Sequence, residues 1–115
     1  MKKIYYLKTC NTCTRILKTF DNSEFELQEI KTQPITVKQL EEMQQLSGSY
    51  ESLFSKLAKK YKAMGLKNQN LQEADYKQLI LDEYTFLKRP VIINDDTIYI
   101  GNSKKNVEKI IEDLG

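Results

Sequence analysis

The sequence predicts an α/β fold: a mixed sheet in the order β-α-β…β-β-α, one domain over residues 1–115, with a helical insertion at about 36–85. Three observations predict it. Short apolar runs with strand character lie near both ends of the chain, whereas the middle repeats its apolar residues at helical spacing. Two runs near the C-terminus flank "NDD" at 94–96, a turn signal that makes them a hairpin. The only two cysteines, Cys10 and Cys13, stand where the first run gives way to the first helical pattern.

Taken in order, "KIYYLK" (3–8) is short and rich in Ile and Tyr, which suits a strand. Asn11 and Thr12 are starters for a helix carrying Ile16, Leu17 and Phe20 at helical spacing, and "DNS" (21–23) ends it. "FELQEI" (25–30) alternates Phe25, Leu27 and Glu29 against Glu24, Glu26 and Gln28, which suggests a second strand. Thr36 and Gln39 have capping-box spacing, in which each side chain satisfies a backbone N–H at the helix start. Val37, Leu40, Met43 and Leu46 then give an apolar face, and Gly48 marks the stop. Ser49 begins a further helix with Leu53, Phe54, Leu57, Tyr61 and Met64 on one side, ended by Gly65. A third helix covers about 72–84. After the hairpin Val91–Ile93 and Thr97–Ile100, Ser103 caps a last helix whose stripe is Val107, Ile110, Ile111 and Leu114. Without its central helices, this order with C-x-x-C at the first strand–helix junction is the thioredoxin-like pattern.

Composition excludes several functions. The net charge of +2 comes from 18 basic and 16 acidic side chains mixed along the chain, too balanced for direct nucleic-acid or membrane binding. The densest basic stretch, "KLAKKYK" (56–62), reads as the solvated face of a helix. No run approaches the roughly 20 apolar residues that span a bilayer, and the N-terminus lacks a signal-peptide core, so a cytoplasmic protein is expected. With no histidine, Cys–His hydrolases, His-ligated metals and Ser–His–Asp triads drop out. Two cysteines cannot complete a four-thiolate zinc site unless a second chain brings its own pair, so no metal is expected. A cytosolic dithiol and two inert buried cysteines are the readings left.

A thiolate at a helix start is stabilised by unpaired N–H groups and the helix dipole, which lowers its pKa. Cys10 stands there, and Cys13 lies one turn later on the same side. That arrangement suits thiol exchange, with Cys10 attacking and Cys13 resolving the mixed disulfide. Thr9, Asn11 and Thr12, with Lys8, surround Cys10 and offer polar groups to a thiolate or bound anion. Arg89 precedes Pro90 at the start of a strand, where proline marks an edge or a cis bond, and its guanidinium is a planar fork for a thiolate or oxyanion. Arg15 is as well placed for solvent as for the site.

With Cys10-x-x-Cys13, "LKRPVII" (87–93) and "IYIGNSKKNVEKII" (98–111), nearly the whole chain resembles the arsenate reductase and Spx family, small thioredoxin-like proteins with an added helical segment. "LFSKLAKKYKAMGL" (53–66) resembles that family's middle helix. The resemblance implies a catalytic or sensing cysteine at Cys10 and a cis proline at Pro90 packed against it. In glutathione- and glutaredoxin-linked arsenate reductases this thiolate attacks arsenate and three arginines hold the oxyanion. Arg89 matches one of them. The middle-helix arginine is unmatched, with Lys56 as its nearest substitute, and the third falls around Gly101 and Asn102. The arginine usual four residues after the cysteine is Thr14 here, followed by Arg15. The resemblance thus implies a thiol-dependent oxidoreductase with Cys10, Cys13 and Arg89 as catalytic residues and Thr9, Asn11, Thr12, Lys56 and Pro90 around the substrate. No cofactor would be bound; glutathione with glutaredoxin, or thioredoxin, would supply electrons, so the partner is a small thiol or redox protein. The alternative is a Spx-like redox sensor, whose C-x-x-C reports oxidation and whose partner is RNA polymerase.

Overall fold

In chain order the elements are β1 (Lys2–Tyr6), α1 (Asn11–Leu17), β2 (Glu26–Glu29), α2 (Val37–Ser47), α3 (Lys59–Ala63), α4 (Glu73–Asp82), β3 (Val91–Asn94), β4 (Thr97–Ile100) and α5 (Lys104–Leu114). The computed structural model describes residues 1–115 and divides them into two units. One is Met1–Pro34 with Arg89–Gly115, and the other is Ile35–Lys88, which spans the stretch expected to be an insertion.

The first unit is built on a four-stranded sheet in the order β2-β1-β3-β4. β1 and β2 run parallel, with Tyr6 opposite Glu29. β1–β3 and β3–β4 are antiparallel, with Tyr5 opposite Val91 and Val91 opposite Ile100. This is the mixed sheet expected. Side chains alternate faces along a strand, so the row Ile4–Ile92–Tyr99 shares one face. Ile16 and Leu17 of α1, Phe20 and Ile110 of α5 pack on that row as one buried cluster. Tyr5 and Val91 are buried on the opposite face.

In β2 the leucine is not the buried residue. Leu27 lies in the row of Ile4, but at the sheet edge, and stays 45% exposed. Gln28 is the buried residue, with its amide Nε2 donating to the Gln33 carbonyl at 3.0 Å. Sheet position overrides the alternation: the face that buries Ile4 at the centre runs out of cover at the rim. In α5 the stripe is narrower than expected, since Ile110 is buried and Ile111 exposed.

In the second unit the Thr36 hydroxyl accepts from Gln39 N–H at 3.1 Å while Gln39 Oε1 accepts from Thr36 N–H at 3.0 Å, as their spacing predicts. Gly48 ends α2 at φ 92°, a left-handed conformation that costs a Cβ-free residue little. Leu40 and Met43 are buried, whereas Val37 is half exposed. The continuous helix expected from Ser49 to Gly65 is not formed. A 3-10 turn, Glu51–Leu53, stops at Phe54, whose extended backbone bridges Leu87. Ser55 N–H donates to Phe86 O at 2.7 Å, and Lys88 N–H to Leu53 O at 2.9 Å. Phe54 then stacks on Phe86 at 4.9 Å and meets Tyr76 at 5.0 Å. Burying a phenylalanine contributes about 1.5–3 kcal/mol, more than local helix propensity offers, so the long-range pairing wins. Helix α3 is left with five residues, and Leu57 and Met64 are exposed. No helix is long and apolar enough to cross a membrane.

Candidate active site

Strand register brings the site residues to one end of the sheet. Because Tyr5 pairs with Val91 and Val91 with Ile100, the loop after β1, the segment before β3 and the loop after β4 all leave from that end. Leu7 O accepts Cys10 N–H at 3.1 Å, closing a turn that delivers Cys10 to the N-cap of α1, rather than Asn11 or Thr12. Its Sγ accepts the Cys13 N–H at 3.4 Å.

Cys10 is partly exposed, and burial by itself would push its thiol up. The N–H and thiol of Cys13, the Arg89 guanidinium and the Thr12 N–H together outweigh burial and hold it below the ordinary thiol value. Cys13 is fully buried, and burial, the hydrogen bond to Cys10 and the charge of Cys10 push it up to about 12. Both thiols are free. The pair is therefore split into a partly exposed thiol of lowered pKa and a buried thiol of raised pKa one turn inside.

Arg89–Pro90 is a cis peptide bond, the conformation the resemblance implies, and Pro90 is buried. Gly101 N–H donates to Pro90 O at 2.8 Å, and the Asn102 amide to Arg89 O at 3.2 Å. Asn106 Nδ2 in turn holds Gly101 O at 2.7 Å. Where the family's third arginine would fall, this chain instead secures the backbone of Arg89–Pro90. Gly101 has φ 84°, which favours glycine there.

Of the other expected residues, Thr9 and Asn11 are exposed beside Cys10 and Thr12 is partly buried. Toward Cys10 Sγ the donors are backbone N–H groups and the Cys13 thiol, not the Thr or Asn side chains. Lys56 belongs to the second unit, where its Nζ pairs with Glu51 Oε2 at 2.8 Å. Arg15 is exposed on α1. No cluster of three His, Cys, Asp or Glu side chains forms a metal-binding group. Sequence reasoning missed Asn102 as a clamp and Glu29 as a buried residue behind the Cys10 loop. The first carries no signal without the hairpin register; the second is signalled only by standing at a strand end beside β1.

Fold and site define a thioredoxin-like protein with a dithiol at the start of its first helix. The ArsC family model matches residues 5–110, and the chain belongs to the ArsC family. Among solved structures, it is similar to an arsenate reductase from Vibrio cholerae, with TM-score 0.78 and 15% identity over 98% of this chain and 97% of that one. A Staphylococcus aureus protein matches with TM-score 0.75 and 25% identity over 95% and 97%. An arsenate reductase (ArsC) related protein from Brucella melitensis matches with TM-score 0.71 and 18% identity over 94% and 92%. No curated protein matches the chain.

Proposed function

We propose that this protein is a thiol-dependent oxidoreductase in which Cys10 is the nucleophile and Cys13 the resolving thiol. The observation that carries the reading is the split between the two sulfurs at the N-cap of α1. On a disulfide or glutathione adduct, the Cys10 thiolate attacks one sulfur; that S–S bond breaks and the leaving thiolate takes a proton from solvent. Cys13 then loses its proton and attacks Cys10 Sγ, releasing the second substrate thiol and leaving a Cys10–Cys13 disulfide. Once Cys10 is tied up, its charge and its hydrogen bond no longer raise Cys13, although burial still does. The substrate gains two electrons, which glutathione with glutaredoxin, or thioredoxin, returns to the protein.

Arsenate is the less favoured substrate. The chain has two arginines, Arg15 and Arg89, and Arg15 is exposed. A single guanidinium fork is a poor cage for an oxyanion whose charge grows during attack. The test is a panel of wild type, Cys10→Ser and Cys13→Ser against arsenate and against a glutathionylated peptide, with each electron donor supplied separately. Peptide reduction abolished by Cys10→Ser is expected; full activity in that variant overturns the reading. The unmatched arginines favour a second reading, a dithiol sensor for a protein partner such as RNA polymerase. Equal capture of that partner by reduced and oxidised protein would remove it.

A further inference from the structure

Glu29 is 9% exposed as a residue, and its carboxylate lies outside the chemistry just described. It accepts three hydrogen bonds. Oε1 takes the Thr32 N–H and hydroxyl, each at 2.9 Å, and Oε2 takes the Lys8 N–H at 3.2 Å. Parallel pairing with Tyr6 sets Glu29 beside the end of β1, and Ile30 N–H bonds Tyr6 O at 3.0 Å, so its backbone is fixed. Lys8 is the second residue of the turn closed by Cys10 N–H and Leu7 O. A β-turn is defined by its two central residues, and here the N–H of one of them is held from outside the turn.

We propose that Glu29 is a positioning residue for Cys10: its carboxylate fixes the Leu7–Cys10 turn and so keeps the Cys10 sulfur under the Cys13 N–H. This role rests on the reading of Cys10 as an activated thiolate. Lys8 is exposed, so water could satisfy its N–H. The Glu29 carboxylate instead joins the turn to the segment after β2, giving it two anchored sides. Hydrogen bonds to a carboxylate are stronger than neutral ones, and a buried acceptor that loses them is left desolvated, which makes this brace stiff.

The experiment is the pH profile of Cys10 alkylation by iodoacetamide, assigned by mass spectrometry, for wild type and Glu29→Gln. Loss of a negative charge near Cys10 would by itself favour the thiolate and move the profile to lower pH. Loss of position does the opposite, because a carboxamide has one accepting oxygen and cannot accept from Lys8 N–H on one side and Thr32 N–H on the other. The expected result is a shift to higher pH with several-fold slower alkylation at pH 7, in a protein that still melts cooperatively. A profile that is unchanged or moves to lower pH overturns the proposal. Should Glu29→Gln not fold, Glu29→Asp carries the test with the same expectation, since it keeps the charge but is too short to bridge Lys8 and Thr32. A wild-type profile centred on the free-thiol value of about 8.5 would instead overturn the activated-thiolate reading itself.

Discussion

Ile16→Ala tests whether the cysteine-bearing helix exists because it is packed. Helix α1 has seven residues, and isolated helices shorter than about 12–15 residues are marginal in water. It is therefore held by its buried residues, Cys13, Ile16 and Leu17, against the sheet. Ile16 is 2% exposed within the cluster that includes Ile4, Ile92 and Ile110. Truncating such an isoleucine to alanine costs about 2–5 kcal/mol, a large share of a typical 5–15 kcal/mol total. With an unfolding entropy of about 0.24 kcal/mol/K for a chain of this length, Tm should fall by about 8–20 °C. Urea unfolding followed by far-ultraviolet circular dichroism measures the loss directly, and Ile16→Val should lose only about 0.5–1.5 kcal/mol. A loss below about 1 kcal/mol for the alanine variant would refute the claim that packing on this residue sustains the helix.

Three further outcomes are expected. Brief iodoacetamide treatment of the native, reduced protein at pH 7 should label Cys10 and spare Cys13, whose buried thiol is raised to about 12; equal labelling would contradict the split. Arg89→Gln removes a charge that favours the Cys10 thiolate, so its alkylation profile should move to higher pH, whereas Arg89→Lys should move it less; superimposed Gln and wild-type curves would show that the guanidinium does not act on Cys10. Tyr99 is raised to about 12 by burial and by its hydroxyl donating to Asp113 at 2.8 Å, and should ionise there in an ultraviolet titration. Because its folded pKa exceeds the ordinary value of about 10, its contribution to stability is complete below pH 10 and is lost as pH rises toward 12. Asp113→Asn should bring the titration down.

The outer frame was legible because short range and long range agree there. The hairpin turn signal at 94–96, the Ser103 cap and the Thr36–Gln39 box each describe contacts between near neighbours, and each is present. Phe54 was not legible in the same way. Its spacing with Leu57, Tyr61 and Met64 is helical, yet a bridge to Leu87, 33 residues on, sets its backbone. The exposure of Leu27 was hidden for a related reason: alternation gives two faces but not the distance from the sheet edge. In the site, the cysteines and Arg89–Pro90 stand out by residue type. Glu29 and Asn102 are common surface residues whose meaning comes from the register that sets them beside the Cys10 turn and the Arg89 carbonyl.

The order β2-β1-β3-β4 also bears on self-association. β2 and β4 are the two rims, and each is only four residues long. Backbone groups of alternate residues point outward along a rim, so each offers an incoming strand about two residues' worth of hydrogen bonds. Beside β4, the hairpin turn carries Asp95 and Asp96; on β2, Glu26 is exposed and follows Glu24. A second sheet docking edge to edge would meet short, acidic-flanked templates, while Ile4 and Ile92 on the two central strands stay away from the rim. Such a chain displays a partly exposed thiol at one end of a sheet whose two rims are both short.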